Sequence, residues 1–203
     1  MAKLIKRKLD FQNVQKLIDF FPITAIIGSR QCGKTFLARN IKYDHYFDIE
    51  NPRDAASLIN AQLALEELKG LIIIDEIQRA PKLFALLRYL VDTNKQQKYL
   101  ILGSASPNIT KQASESLTGR IAYYQLRGFS IADVGKKNIK KMWLTGCYPK
   151  AFLAKNLQES FVWRENYITT FLERDIPQLG INILAQTLRR FLLMLGHYHG
   201  QIL

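Results

Sequence analysis

The order Gly28-Ser29-Arg30-Gln31-Cys32-Gly33-Lys34-Thr35 constrains this chain more than any other feature. It lies between the branched apolar run 23–27 and a segment with Leu37 and Ile41 one turn apart. Two glycines bracketing four residues permit unusual backbone dihedrals and close approach, so successive N–H groups can curl around an anion where a strand gives way to a helix. Lys34 is then placed to reach the β and γ phosphates of a nucleotide, and Thr35 to set its hydroxyl on Mg2+, a hard cation that keeps most of its waters. Gly28, Ser29, Arg30, Gln31, Cys32, Gly33 and Phe36 are expected to line the same cradle. The alternative is a ligand-free glycine turn, and the flanking strand and helix argue against it.

A second feature supports the first. Leu71-Ile72-Ile73-Ile74 reads as a strand buried on both faces, and Asp75-Glu76 follows it directly, at the carboxyl end where α/β proteins place their ligands. Asp75 is expected to hold Mg2+ through water. Glu76 is expected to orient or deprotonate the attacking water. Ser104, at the end of a later apolar run, either bonds the attacking water or γ-phosphate or merely caps a turn. Arg120 either supplies charge to the transition state, in cis or across a subunit interface, or makes a surface ion pair.

Between these motifs, short branched apolar runs alternate with helix-length segments, the pattern of parallel strands joined by crossover helices. Strands are expected over 23–27, 46–49, 71–74, 99–102 and 121–126. A helix is expected over 52–68, capped by Asn51, with Pro52 in its first turn and Gly70 as the left-handed residue that ends it. Another opens at Pro81. The fold class is therefore α/β, a three-layer sandwich on a central parallel sheet. Beyond Arg127 the alternation stops and a helical C-terminal segment follows, with helices over about 157–172 and 182–195. The division is 1–130 for the α/β unit and 131–203 for the helical segment. The chain stops at Gln201-Ile202-Leu203 without room for another element and reads as truncated.

Composition bounds the partners. Of the 203 residues, 48% are hydrophobic and 23% charged, which suits a folded chain rather than a disordered one. Lys and Arg outnumber Asp and Glu by 29 to 17, a formal charge of +12 that attracts phosphate-bearing partners without identifying them. Clusters at Lys3, Lys6, Arg7 and Lys8, and at Lys136, Lys137, Lys140 and Lys141 beside Trp143, read either as solvated helix faces or as a nucleic-acid patch, the former favoured. Two cysteines give no disulfide framework and suit a reducing cytoplasm. Cys32 reads as a small filler or as a thiol activated at a helix start, the filler favoured. No apolar run approaches the roughly 18–20 residues of a membrane helix. His197 and His199 point apart on a helix, His45 reads as a strand-edge residue, and no metal pair is expected there.

These residues resemble a known family, the predicted prokaryotic ATPases of the AAA+ superfamily whose ATPase domain precedes a poorly characterised C-terminal domain. The resemblance is carried by the loop above, by Asp75-Glu76-Ile77-Gln78-Arg79-Ala80-Pro81 and by Gly103-Ser104-Ala105-Ser106. It continues in Leu117-Thr118-Gly119-Arg120, in Gly146-Cys147-Tyr148-Pro149, and from Tyr167 through Glu173-Arg174-Asp175-Ile176. It implies a P-loop NTPase sandwich with ATP, Mg2+ and hydrolysis to ADP and phosphate. The sequence departs from it where Gly128 replaces a usual proline and where the chain stops. Similar proteins continue there into a winged-helix segment and a nuclease-like fold, so DNA-directed activity is not expected of these residues. Alternatives are a non-hydrolysing nucleotide-binding interaction module and a basic nucleic-acid-binding protein. A GTPase is disfavoured because Asn94-Lys95-Gln96-Gln97 lacks the acid that reads guanine. Homo-oligomerisation and a protein or nucleic-acid partner stay open.

Overall fold

Runs of Ile, Leu and Tyr alternate their side chains between two apolar layers, and that alternation builds the sheet. The computed structural model describes residues 5–104 and 115–200. Lys3, Ala105, Ser106 and Gln201 to Leu203, named above, lie outside them.

The strands are β1 (Ile23–Gly28), β2 (His45–Asp48), β3 (Gly70–Asp75), β4 (Gln97–Ser104) and β5 (Ile121–Gln125). They form one sheet of order β2-β3-β4-β1-β5, and every pairing is parallel. On one face Ile72, Ile74, Tyr99 and Ile101 pack against Leu65 and against Phe84, Leu87 and Leu90 of α5 (Leu83–Thr93). On the other, Leu71, Ile73, Leu100 and Leu102 pack against Val14 and Ile18 of α1 (Lys8–Phe20) and Leu37 and Ala38 of α2 (Lys34–Arg39). The result is the expected three-layer α/β sandwich of the P-loop NTPase type. His45 stands on the edge strand β2.

The expected helix over 52–68 is broken. Asn51 caps it as anticipated, accepting from the Arg53 N–H, but α3 ends at Ser57 (Pro52–Ser57). A tight turn at Leu58–Asn60 precedes α4 (Ala61–Leu65), and Asn60 leaves helical dihedrals at φ −103°, ψ 62°. Gly70 does not end the helix but starts β3 at φ 83°, where a Cβ would stand 1.9 Å from the Asp44 carboxylate. The open carbonyls at the end of α4 are instead taken by the buried Gln97 amide, which donates to Leu65 O at 2.7 Å and Leu68 O at 2.8 Å. Such a cap comes from a distant strand and leaves no local trace.

After β5 come α6 (Ile131–Val134), α7 (Ile139–Thr145), α8 (Pro149–Phe152) and α9 (Leu157–Thr170). α9 runs on through a π turn at Phe171–Asp175 into α10 (Ile176–Gln178). Pro177 has no N–H for the preceding turn, which loosens the hydrogen-bond ladder just before it. α11 spans Ala185–His197. No helix among the described residues is long and apolar enough to cross a membrane.

Candidate active site

Because the sheet is parallel, the ends of β1, β3 and β4 open on one side, and the two motifs meet there. Gly28 pairs in register with Ser104, so the loop leaves the sheet beside the end of β4. Gly28 permits this by close approach: a Cβ there would lie 2.3 Å from the Leu126 carbonyl. Gln31 and Gly33 take left-handed dihedrals, φ 61° and 103°, and turn the backbone into α2.

Lys34 is almost wholly buried, its Nζ donating to the carbonyls of Gly28 at 2.9 Å and Ser29 at 3.0 Å. The Thr35 hydroxyl donates to Asp75 Oδ2 at 2.7 Å, so the two expected metal-holding residues stand together. Tyr46 on β2 donates to the same oxygen at 2.9 Å, and the Glu76 N–H donates to Asp75 Oδ1 at 2.9 Å. Burial, followed by the nearby Asp75 charge, raises the pKa of Tyr46 and keeps its hydroxyl a donor. Hard oxygen donors on a carboxylate and a hydroxyl beside a phosphate cradle fit Mg2+, which is commonly held by one or two protein oxygens with phosphate and water.

Glu76 is a non-glycine residue at φ 57°, ψ 42°, a conformation that costs about 1–2 kcal/mol and suits a side chain aimed by strain. Its carboxylate accepts from the Gln78 amide. Glu76 borders a cavity of about 650 Å³ together with Arg30, Gln31, Gly33, Lys34, Thr35 and Phe36. Phe36 also borders a second cavity of about 370 Å³ beneath α1.

Three expectations change. Arg120 precedes β5, and its carbonyl accepts from the Ile23 N–H at the start of β1, the end of the sheet opposite the loop. Its guanidinium grips Asp92 at 2.7 and 2.9 Å, and that hydrogen bond holds the Asp92 carboxyl below its ordinary range. Arg120 therefore does not act in cis on this site. Cys32 is fully buried and burial raises its pKa, which removes the activated-thiol reading. Arg7 is neither solvated nor free for nucleic acid: it is buried, donating to Cys32 O at 2.9 Å, Arg127 O at 2.7 Å and Gly128 O at 3.1 Å, with Asp10 at 2.7 Å.

The helical segment also reaches the loop, which sequence reasoning missed. Tyr148 donates to Ser29 Oγ at 3.0 Å, Tyr167 donates to the Tyr148 hydroxyl at 2.9 Å, and Asp175 lies 3.4 Å from Arg30. Trp163, Tyr167 and Phe171, spaced four apart on one helical face, stack in turn and border the cavity. That spacing was the available signal.

A glycine-rich loop on a parallel sheet, with Lys and Thr at its helix and an acid pair on the third strand, defines a P-loop nucleoside triphosphatase fold. The AAA domain family matches residues 21–135, more than half of the chain, and the chain belongs to it. Residues 136–203 match a domain of unknown function, DUF8612. The chain is 46% identical over 203 residues to the uncharacterized proteins Mb2031c of Mycobacterium bovis and Rv2008c of Mycobacterium tuberculosis. The match covers 98% of this chain and 46% of each relative, so the chain spans just under half their length. Among solved structures, the Walker-type ATPase PABY2304 of Pyrococcus abyssi shares the fold, with TM-score 0.60 and 15% identity over 87% of this chain and 76% of that one.

Proposed function

We propose that this chain binds Mg2+-ATP on the loop 28–35 and hydrolyses it to ADP and phosphate. The observation that carries the reading is the 2.7 Å contact between the Thr35 hydroxyl and the Asp75 carboxylate, two motifs 40 residues apart meeting beside Lys34. When bound, Mg2+ would bridge phosphate oxygens and neutralise charge in transfer. Thr35 and Asp75 would hold it, with Tyr46 orienting Asp75. Lys34 would exchange its carbonyl partners for phosphate oxygens. Glu76 would hold the attacking water and take its proton, and Ser104, beside Gly28, would bond that water or the γ-phosphate. The nucleotide-binding unit is taken as 1–130 and 131–203 as its helical extension. Two free thiols suit a reducing cytoplasm.

The test is Mg2+-ATP affinity and turnover in the parent, Lys34→Ala and Glu76→Gln. Lys34→Ala is expected to lose binding, and Glu76→Gln to bind while losing turnover roughly 10²–10⁴-fold, the usual weight of a general base. Equal turnover in Glu76→Gln would remove the catalytic assignment. The Gln78 amide on Glu76 favours a second reading: nucleotide binding in which turnover awaits a partner that frees the carboxylate. Tight binding with negligible turnover in the parent, restored by Gln78→Ala, would select it.

A further inference from the structure

The cavity above the loop is bordered by Lys150, Trp163, Asn166, Tyr167, Arg174 and Asp175 from the region matched by the domain of unknown function. The cations of the loop and its support already have partners. Lys34 is held by two carbonyls, Arg30 lies beside Asp175, and Arg7 is spent on three carbonyls and Asp10. The acids bordering the cavity are also engaged: Glu50 with Arg79 at 2.6 Å and Glu76 with Gln78. Lys150 and Arg174 differ. Both are exposed, and neither makes a hydrogen bond or ion pair among the described residues.

Their positions are fixed by contacts on either side. Lys150 follows Tyr148-Pro149 at the start of α8, and Tyr148 is bonded to Ser29. Arg174 lies in the π turn, next to the Asp175 that meets Arg30. Single π turns recur at functional positions because the widened turn re-aims its side chains. Two unpaired cations held over a phosphate-binding loop create a field that favours a polyphosphate, which stays anionic after binding one Mg2+.

We propose that Lys150 and Arg174 are phosphate-binding residues supplied in cis to the nucleotide, so that the segment 136–203 forms one wall of the ATP site. The inference rests on the nucleotide reading above. Occupancy of the loop then draws this segment onto it, and charge on the polyphosphate, not the base, is what it senses.

The experiment is titration of Mg2+-ATP at several salt concentrations with the parent, Lys34→Ala, Arg174→Ala, Arg174→Lys, Lys150→Ala and, as an exposed cation outside the cavity, Lys137→Ala. Arg174→Ala is expected to weaken ATP about tenfold, the size of a lost charge-assisted hydrogen bond, with Lys150→Ala weaker in the same direction. Arg174→Lys recovers part of the loss, and Lys137→Ala matches the parent. The affinity of Arg174→Ala also falls less steeply with salt than the parent's, which a purely structural loss would not produce. Parent-like affinity and salt slope in both cavity variants, with binding lost in Lys34→Ala, overturn this proposal and leave the nucleotide reading standing. A lowered affinity with an unchanged salt slope overturns it as well. A parent that does not bind ATP removes both.

Discussion

Gly28 and Gly128 are both places where a single methyl group has no room. At Gly28 a Cβ meets the Leu126 carbonyl at 2.3 Å, and at Gly128 it meets Cys147 O at 2.5 Å and Sγ at 2.6 Å. Gly28→Ala and Gly128→Ala are each expected to cost about 1–3 kcal/mol, the usual range for overpacking, read as a lower melting temperature. An unchanged melting temperature in either would mean that the backbones separate freely. The two thiols also part company. Burial raises the Cys32 pKa and encloses it, whereas Cys147 is partly exposed, so a thiol reagent at neutral pH is expected to label Cys147 well before Cys32. Equal labelling rates would contradict the buried position. At this scale the loop was legible in the sequence because its spacing is a local property of the chain. Arg7 was not, because its carbonyl partners Arg127 and Gly128 stand 120 and 121 residues away and nothing nearby marks it as buried.

Between elements, the strands could be read to within two residues because each is a short branched run bounded by polar or glycine residues. Helix ends were harder, since they depend on tertiary partners. α1 went unread behind its basic start, although Phe11, Val14 and Ile18 recur at helical spacing and face the sheet. The segment 52–68 carries a continuous apolar face yet breaks at Asn60, and Gln97 closes the far end from β4. Gln97→Leu is expected to leave those carbonyls unpaired in a buried position and to destabilise the fold by about 1–3 kcal/mol. Chemical denaturation measures this, and a midpoint equal to the parent's would show that the carbonyls find other donors. The π turn before Pro177 belongs here too: proline announces a disturbance of the helix, but not that the disturbed turn lies over the phosphate loop.

Over the whole molecule, the sheet brings the loop, Asp75 and Ser104 to one side, and the helical segment covers that side with aromatic rings. A wall built from Tyr148, Trp163 and Tyr167 should report on the ligand. In a Trp143→Phe background, Trp163 fluorescence is expected to change on adding Mg2+-ATP, and an unaltered spectrum at saturating nucleotide would place the ligand away from this wall. Trp143, 88% exposed, is removed because it would dominate the signal. The α/β layer was legible throughout, whereas its contact with the helical segment was not, since hydrogen bonds such as Tyr148 to Ser29 join residues 119 apart.

The central claim is that the Thr35–Asp75 pair and Lys34 form a working Mg2+-ATP site with Glu76 as its base. Single-turnover hydrolysis of bound ATP by the parent and Glu76→Gln, at matched occupancy and with Mg2+ present, tests it most directly. The account predicts phosphate release by the parent and retained, uncleaved ATP in Glu76→Gln. Release at the same rate from both proteins would contradict it.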